Sequence, residues 1–174
     1  MKRSLALTAI LALVALAVSA VPAAAQAPSF DRAVPERVTR TTTPARDRTR
    51  PYTFTTRGRI VPPGRFCAPG ESPLTAGARC IPVLCPPGAT DIQYCFVPGR
   101  AIICSGKVNV RFQKDDTSIS TRLVNVRPNC TYFSRVTFRT RLITRIGVLS
   151  VRARFQGNLV LGPKTSNTGR VRAG

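Results

Sequence analysis

The chain has 174 residues with 27 basic and seven acidic side chains, a formal net charge of +20, and no histidine. The lack of histidine excludes Ser-His and Cys-His catalytic pairs and any metal site built on imidazole. The charge predicts attraction to polyanions, although the same arginines would also serve as solvated strand faces.

Residues 1–25 have the organisation of a signal peptide. Lys2 and Arg3 form a positive n-region, residues 5–18 are apolar, and Ala23–Ala25 is a small-residue cleavage site. Cleavage before Gln26 is preferred over an uncleaved anchor, because the apolar run is too short to span a bilayer comfortably. The sequence therefore predicts a protein that is secreted, either extracellular or in the cell envelope, with no membrane span after signal cleavage.

Residues 26–51 are rich in Pro, Thr, Arg and Ala and contain few large apolar side chains. Such a segment cannot bury enough surface to offset its ordering entropy, so it is predicted to be a disordered basic linker. Its role is either to hold the domain to an anionic surface or to act as a spacer.

Residues 52–174 are predicted to be one all-β domain. The first strand, residues 52–61, alternates apolar and polar side chains and ends in a Pro-Pro-Gly turn. Residues 64–103 form a Cys-rich insertion without sustained periodicity, with short strands expected only near residues 81–84 and 96–103.

After Cys104 the period of two returns, which predicts strands over residues 108–112, 132–138 and 149–155. Residues 114–117 are of types that favour a turn, so residues 118–127 are predicted to return as the second strand of a hairpin. A bulge is predicted where the apolar pattern shifts at Val124. Arg170–Arg172 is predicted to be a charged edge strand. The number and spacing of the strands favour a β-sandwich, with no clear helical pattern after the signal.

The six cysteines form an even set in the exported part of the chain, which predicts three disulfides. The chain is predicted to run out along residues 108–112 and back along residues 119–126, so it returns to the end of the domain from which it started. Cys104 is therefore expected to pair with Cys130. Three arrangements then remain open for the other four cysteines, which are Cys67, Cys80, Cys85 and Cys95.

Several strand segments resemble those of bacterial Ig-like domains found in secreted and surface proteins. The resemblance is carried by residues 104–110, 129–132, 135–138 and 154–159, which read CSGKVNV, NCTY, RVTF and RFQGNL. It implies an Ig-like β-sandwich that serves as a structural or adhesive module. The chain departs from the family by having a single copy and by inserting residues 64–103 between its first and second strands.

Candidate catalytic residues are scarce. Glu71 and Asp91 are the one carboxylate pair that merits inspection, and both also fit solvated loop positions. We therefore predict no enzymatic activity, no cofactor and no metal. The candidate polyanion-binding residues are arginines at alternating positions predicted to face outward, which would give one sheet an arginine field: Arg111, Arg122, Arg135, Arg139, Arg152 and Arg154.

Three functions follow as hypotheses. The first is a non-catalytic Ig-like structural or adhesive module, the second a cationic polyanion-binding or antimicrobial effector, and the third an extracellular protease inhibitor acting through the insertion. The expected partners are anionic cell-envelope polymers or another surface protein. Sequence-specific nucleic-acid binding is not expected, because Phe133 is the one aromatic residue clearly placed on a basic face.

Overall fold

The computed structural model describes residues 31–68, 70–77, 79–85, 95–139 and 147–174, so the predicted signal peptide lies outside the described residues. Strands dominate and a single helical turn is present in this part of the chain. The elements are β1 (Arg37–Thr43), β2 (Arg46–Asp47), β3 (Tyr52–Val61), α1 (Arg100–Ile103), β4 (Lys107–Lys114), β5 (Thr117–Asn125), β6 (Thr131–Phe138), β7 (Val148–Phe155), β8 (Lys164–Thr165) and β9 (Gly169–Ala173).

The strands form two sheets. The smaller sheet has the order β1-β3-β6, and the larger has the order β2-β9-β7-β4-β5, with β8 also paired to β7. All pairs are antiparallel except that of β2 with β9. The all-β prediction for the domain is confirmed.

One apolar core lies between the sheets because β3, β4, β6 and β7 bury every second side chain along most of their length. Phe54 of the smaller sheet contacts Phe112 of the larger, with ring centroids 6.2 Å apart. Phe138 stands edge-on to Phe112 at 5.6 Å, a favoured geometry for aromatic pairs. The predicted inward faces of β4, β6 and β7 are confirmed, since Val108, Val110, Tyr132, Val136, Leu149, Val151, Ala153 and Phe155 are all buried.

The hairpin between β4 and β5 is confirmed, but its bulge was predicted at the wrong place. Asp115 and Asp116 both have positive φ, as a type I′ turn requires. The register shifts between Phe112 and Gln113, which leaves Ile119 as the extra residue, whereas pairing through Val124 is regular. Leu123 lies on the solvent-exposed face of the edge strand β5. In the sequence, an apolar residue on that face looks like a shift in the alternation of apolar and polar residues, although the strand pairing there is regular.

The prediction of a disordered linker over residues 26–51 is wrong from Arg37 onward. Strand β1 pairs along its whole length with β3, and β2 pairs with β9. The ordering is supported by burial of Val38 and by the Asp47 carboxylate, which accepts hydrogen bonds from the N–H groups of Thr49 at 3.0 Å and Thr53 at 2.7 Å. β-Branched threonines in β1 also suit a strand.

The predicted edge strand is not at the edge. Strand β9 lies between β7 and the two-residue β2, which covers part of its outer side. The Arg172 N–H donates to the Ala45 carbonyl at 2.8 Å, and the Gly174 N–H donates to the Asp47 carbonyl. The residues that cover β9 belong to the segment predicted to be a linker. Because that segment is ordered, β9 does not lie at the edge of the sheet.

The described part of the insertion between β3 and β4 has no regular strand, and its cysteines pair with one another. The disulfides are Cys67–Cys80 and Cys85–Cys95. A short strand was expected near residues 81–84. The structure has two isolated β-bridges there, one between Phe66 and Ile81 and one between Leu84 and Phe96. Ile81 and Leu84 belong to the main core, so the insertion packs on the sheets.

The end of the insertion is a helical turn where a short strand was predicted. In α1 the Gly99 carbonyl accepts hydrogen bonds from the N–H groups of Ile102 at 2.9 Å and Ile103 at 3.1 Å. The turn places Ile103 and Cys104 against the core. Burial of these two side chains at a sheet end outweighs the β-propensity of the isoleucines.

The third disulfide joins Cys104 to Cys130, as the sequence predicted. Their Cα atoms are 4.4 Å apart, at the end of the domain where β4 begins and β6 begins. The excursion through β4 and β5 therefore closes on itself, and both sulfur-bearing side chains are buried.

Candidate anion-binding groove

The six candidate arginines do not form one field. Arg111, Arg152 and Arg154 share the outer face of the larger sheet, whereas Arg135 lies on the outer face of the smaller sheet and Arg139 follows the end of β6. Arg122 stands opposite Val110, so it lies on the core side of β5 and is exposed because β5 is an edge strand. Alternation with a period of two shows which side chains share one face of a strand, but it does not show to which sheet that strand belongs.

The three arginines of the larger sheet are cross-strand neighbours. Arg111 of β4 stands opposite Arg152 of β7, and Asn109 stands opposite Arg154. Together with other polar residues they line a groove of about 330 Å³, which we call the arginine groove. Its lining consists of Asn109, Arg111, Gln113, Arg152, Arg154, Gln156 and Thr165.

None of the described residues that line the arginine groove carries a carboxylate. Two arginines directly opposite one another repel, and this repulsion is relieved when an anion binds between them. Arg152 is oriented by its Nε, which donates a hydrogen bond to Thr168 Oγ1 at 2.6 Å. The groove is therefore a concentrated positive site whose guanidinium groups can donate hydrogen bonds to an anionic group.

Amide side chains extend the groove along the strands. Asn109 and Gln113 flank Arg111 on β4, and Gln156 follows Arg154. The Asn109 Oδ1 atom is buried and accepts no hydrogen bond from the described residues. Asn109 and Gln113 were not among the predicted site residues, although their alternation with Val108, Val110 and Phe112 places them on the same face as Arg111.

The outer face of the smaller sheet is a second basic surface, which we call the threonine face. Arg57 stands opposite Phe133 with its guanidinium 5.6 Å from the ring centroid, and Thr55 stands opposite Arg135. Thr53 and Thr137 share a hydrogen bond of 3.0 Å between their hydroxyls. Arg57 and Arg59, which are not among the six candidate arginines, carry part of its charge.

A further arginine lies between the sheets. Arg40 of β1 is on the core side with Val38, and its guanidinium donates to Thr42 Oγ1 at 3.2 Å and to the Asn167 carbonyl at 3.4 Å. Burial lowers its pKa. Gly169 leaves the space that this side chain fills, since a Cβ there would overlap the guanidinium. We infer a structural role for Arg40 at the open edge of the core.

Of the carboxylate pair considered above, Glu71 lies in the described part of the chain. Glu71 binds Arg65 through two contacts of 2.7 Å and accepts the Ala68 N–H at 2.8 Å. These hydrogen bonds, led by that of Arg65, lower the pKa of Glu71 to about 2. Glu71 is thus a loop-fixing anion, and Asp91 lies outside the described residues.

Comparison of the chain with protein-family models, with curated proteins and with solved structures finds no match. Among the described residues, no group of three or more His, Cys, Asp or Glu side chains is placed to hold a metal ion. The helical turn in the same part of the chain is far too short to cross a membrane.

Proposed function

We propose that the protein is an exported, non-catalytic Ig-like module that binds an anionic polymer of the cell envelope through the arginine groove. The observation that carries this proposal is the placement of Arg111, Arg152 and Arg154 on adjacent strands of one face, with no carboxylate in the lining. The groove combines the first two functional hypotheses, since binding a surface polymer is also a form of adhesion.

The Ig-like part of the proposal is supported by the strand order. If β3, β4, β6, β7 and β9 correspond to strands B, C, E, F and G of an immunoglobulin domain, the larger sheet has the order G-F-C with β5 as C′. The smaller sheet then has the order A-B-E. The disulfide is a departure, because it joins the start of C to the start of E and not B to F.

Export is supported by the cysteines and by the predicted signal peptide. All six cysteines of the chain are in disulfides, which persist in oxidising compartments and are rare in the cytosol. In such a compartment a strongly basic protein meets the anionic polymers of the envelope, and its charge raises the rate of encounter.

Replacing Arg111, Arg152 and Arg154 together by Ser should weaken binding to heparin, a model polyanion, at least about tenfold in 0.1 M salt. Each arginine removes bound counterions from the polymer, so the variant should also show a shallower dependence of affinity on salt. Binding is measured by titration at several salt concentrations, after circular dichroism has shown that the variant is folded.

The matched control replaces Arg57, Arg59 and Arg135 of the threonine face by Ser, which makes the same change in net charge. It should retain most of the affinity. Equal losses in the two triple variants would mean that net charge alone binds the polymer, and the proposal would fail.

The insertion gives some support to contact with another protein. Four large apolar side chains in the described part of the insertion are exposed. Leu74, inside the Cys67–Cys80 loop, is the most exposed at 71%, and the others are Phe66, Phe96 and Val97, each within two residues of a disulfide cysteine. Exposed apolar surface is found at many protein–protein interaction sites. Protease inhibition through this segment stays a hypothesis.

A further inference from the structure

The arginine groove offers both hydrogen-bond donors and hydrogen-bond acceptors to a ligand. Its arginines only donate hydrogen bonds, whereas the amides of Asn109, Gln113 and Gln156 both donate and accept. A site for a purely anionic ligand needs donors alone. The amide oxygens indicate a ligand that brings hydrogen-bond donors together with its negative charges.

Asn109 is the most informative of these residues. Its Oδ1 is buried and has no partner among the described residues, a situation that costs free energy unless a donor reaches it. The neighbours across the strand are Arg154 on one side and Leu123 on the other. Long, flexible arginine side chains can move aside, so a ligand lying along the groove gains access to this oxygen.

The shape of the groove favours an extended polymer. Its side chains follow β4 from Asn109 to Gln113, and β7 from Arg152 to the adjoining Gln156, a length of roughly 13 Å at the usual rise of a strand. No described residue of the lining has an aromatic side chain on which a base could stack, which disfavours single-stranded nucleic acid. Inorganic polyphosphate has the charge but no donors for Asn109.

We propose, on the basis of the proposed function, that the arginine groove binds an acidic polysaccharide, whose carboxylate or other acidic groups meet Arg111, Arg152 and Arg154 while a sugar hydroxyl donates to Asn109 Oδ1. Planar guanidinium groups hold acidic oxygens in paired hydrogen bonds. The hydroxyl supplies the donor that the buried amide oxygen lacks.

The test compares polygalacturonate with inorganic polyphosphate at equal charge concentration, using the exported chain with its disulfides intact. Asn109→Ala should weaken binding of polygalacturonate about tenfold, because a buried hydrogen bond is lost, and should change polyphosphate binding less than about twofold. Asn125→Ala, which alters an exposed amide on the neighbouring strand β5, should change neither. Circular dichroism and thermal melting establish that each variant is folded.

The unsubstituted protein provides a second measurement that does not depend on folding of a variant. It should bind polygalacturonate more tightly than polyphosphate, despite the higher charge density of polyphosphate. Tighter binding of polyphosphate, of an oligothymidylate or of phosphatidylglycerol vesicles would overturn the inference. So would equal losses for both polymers in Asn109→Ala.

The two proposals fail in different ways. If the triple arginine variant of the groove loses both polymers but Asn109→Ala does not discriminate between them, the groove binds anions and only the polysaccharide assignment is wrong. If the triple arginine variant retains both polymers, the proposed function itself is wrong.

Discussion

Replacing Cys104 and Cys130 by Ala should lower the free energy of unfolding by about 3–4 kcal/mol. The disulfide closes a loop with a sequence separation of 26 residues, and opening it returns conformational entropy to the unfolded chain. Both residues are at most 3% exposed, so the change also removes packed sulfur atoms from the core. Thermal denaturation followed by circular dichroism should show a fall in Tm of roughly 10 °C.

The control is Cys85→Ala with Cys95→Ala, which opens a shorter loop with a separation of ten residues inside the insertion. Both of its cysteines are only partly buried, so we expect a smaller shift of the same transition. A larger shift in the control would mean that the insertion, and not the pair of sheets, holds most of the stability.

Phe112→Ala should destabilise the protein by about 3–5 kcal/mol, the usual result of truncating a buried aromatic side chain. Phe112 is fully buried and its ring contacts both Phe54 and Phe138, so its removal leaves a cavity at the centre of the core. Urea denaturation at 25 °C measures the difference from the shift in midpoint at unchanged slope.

Phe133→Ala is the matched control, because it truncates the same residue type on the outer face of β6. Phe133 is 39% exposed, and its contact with Arg57 is worth roughly 0.5–1 kcal/mol. Similar losses for the two substitutions would contradict the assignment of inner and outer faces.

The parts of the fold that the sequence predicts well are those governed by local rules. Strict alternation around Val110 and Val151 gives both the strand and its buried face, and the Asp115–Asp116 turn follows from residues that tolerate positive φ. The Cys104–Cys130 pairing follows from the antiparallel return of β5.

The assignment of strands to sheets depends on contacts between distant residues. Arg135 and Arg152 have the same alternating surroundings in sequence, yet β6 pairs with β3 and β7 with β4. For the same reason β1 was missed, since its polar composition resembles that of a linker. Its order comes from pairing with β3 and from the burial of Val38.

The arginine groove is an outcome of cross-strand register. Arg111 is 41 residues from Arg152 in sequence, and only the antiparallel pairing of β4 with β7 sets them opposite one another. The outward position of Asn109 was accessible from the sequence. The sequence could not show that Asn109 Oδ1 has no hydrogen-bond donor among the described residues, because hydrogen-bond satisfaction depends on all the surrounding side chains.

The most direct test of anion binding by the arginine groove is an NMR titration of the ¹⁵N-labelled protein with short heparin fragments. We expect the amide signals that shift most to belong to residues 109–113 of β4 and to residues 150–156, which are the second part of β7 and the adjoining Gln156, around the groove. Signals of residues 55–59 and 133–137, which belong to the threonine face, should move far less. Shifts concentrated on the threonine face, or spread evenly over every basic segment, would contradict the account.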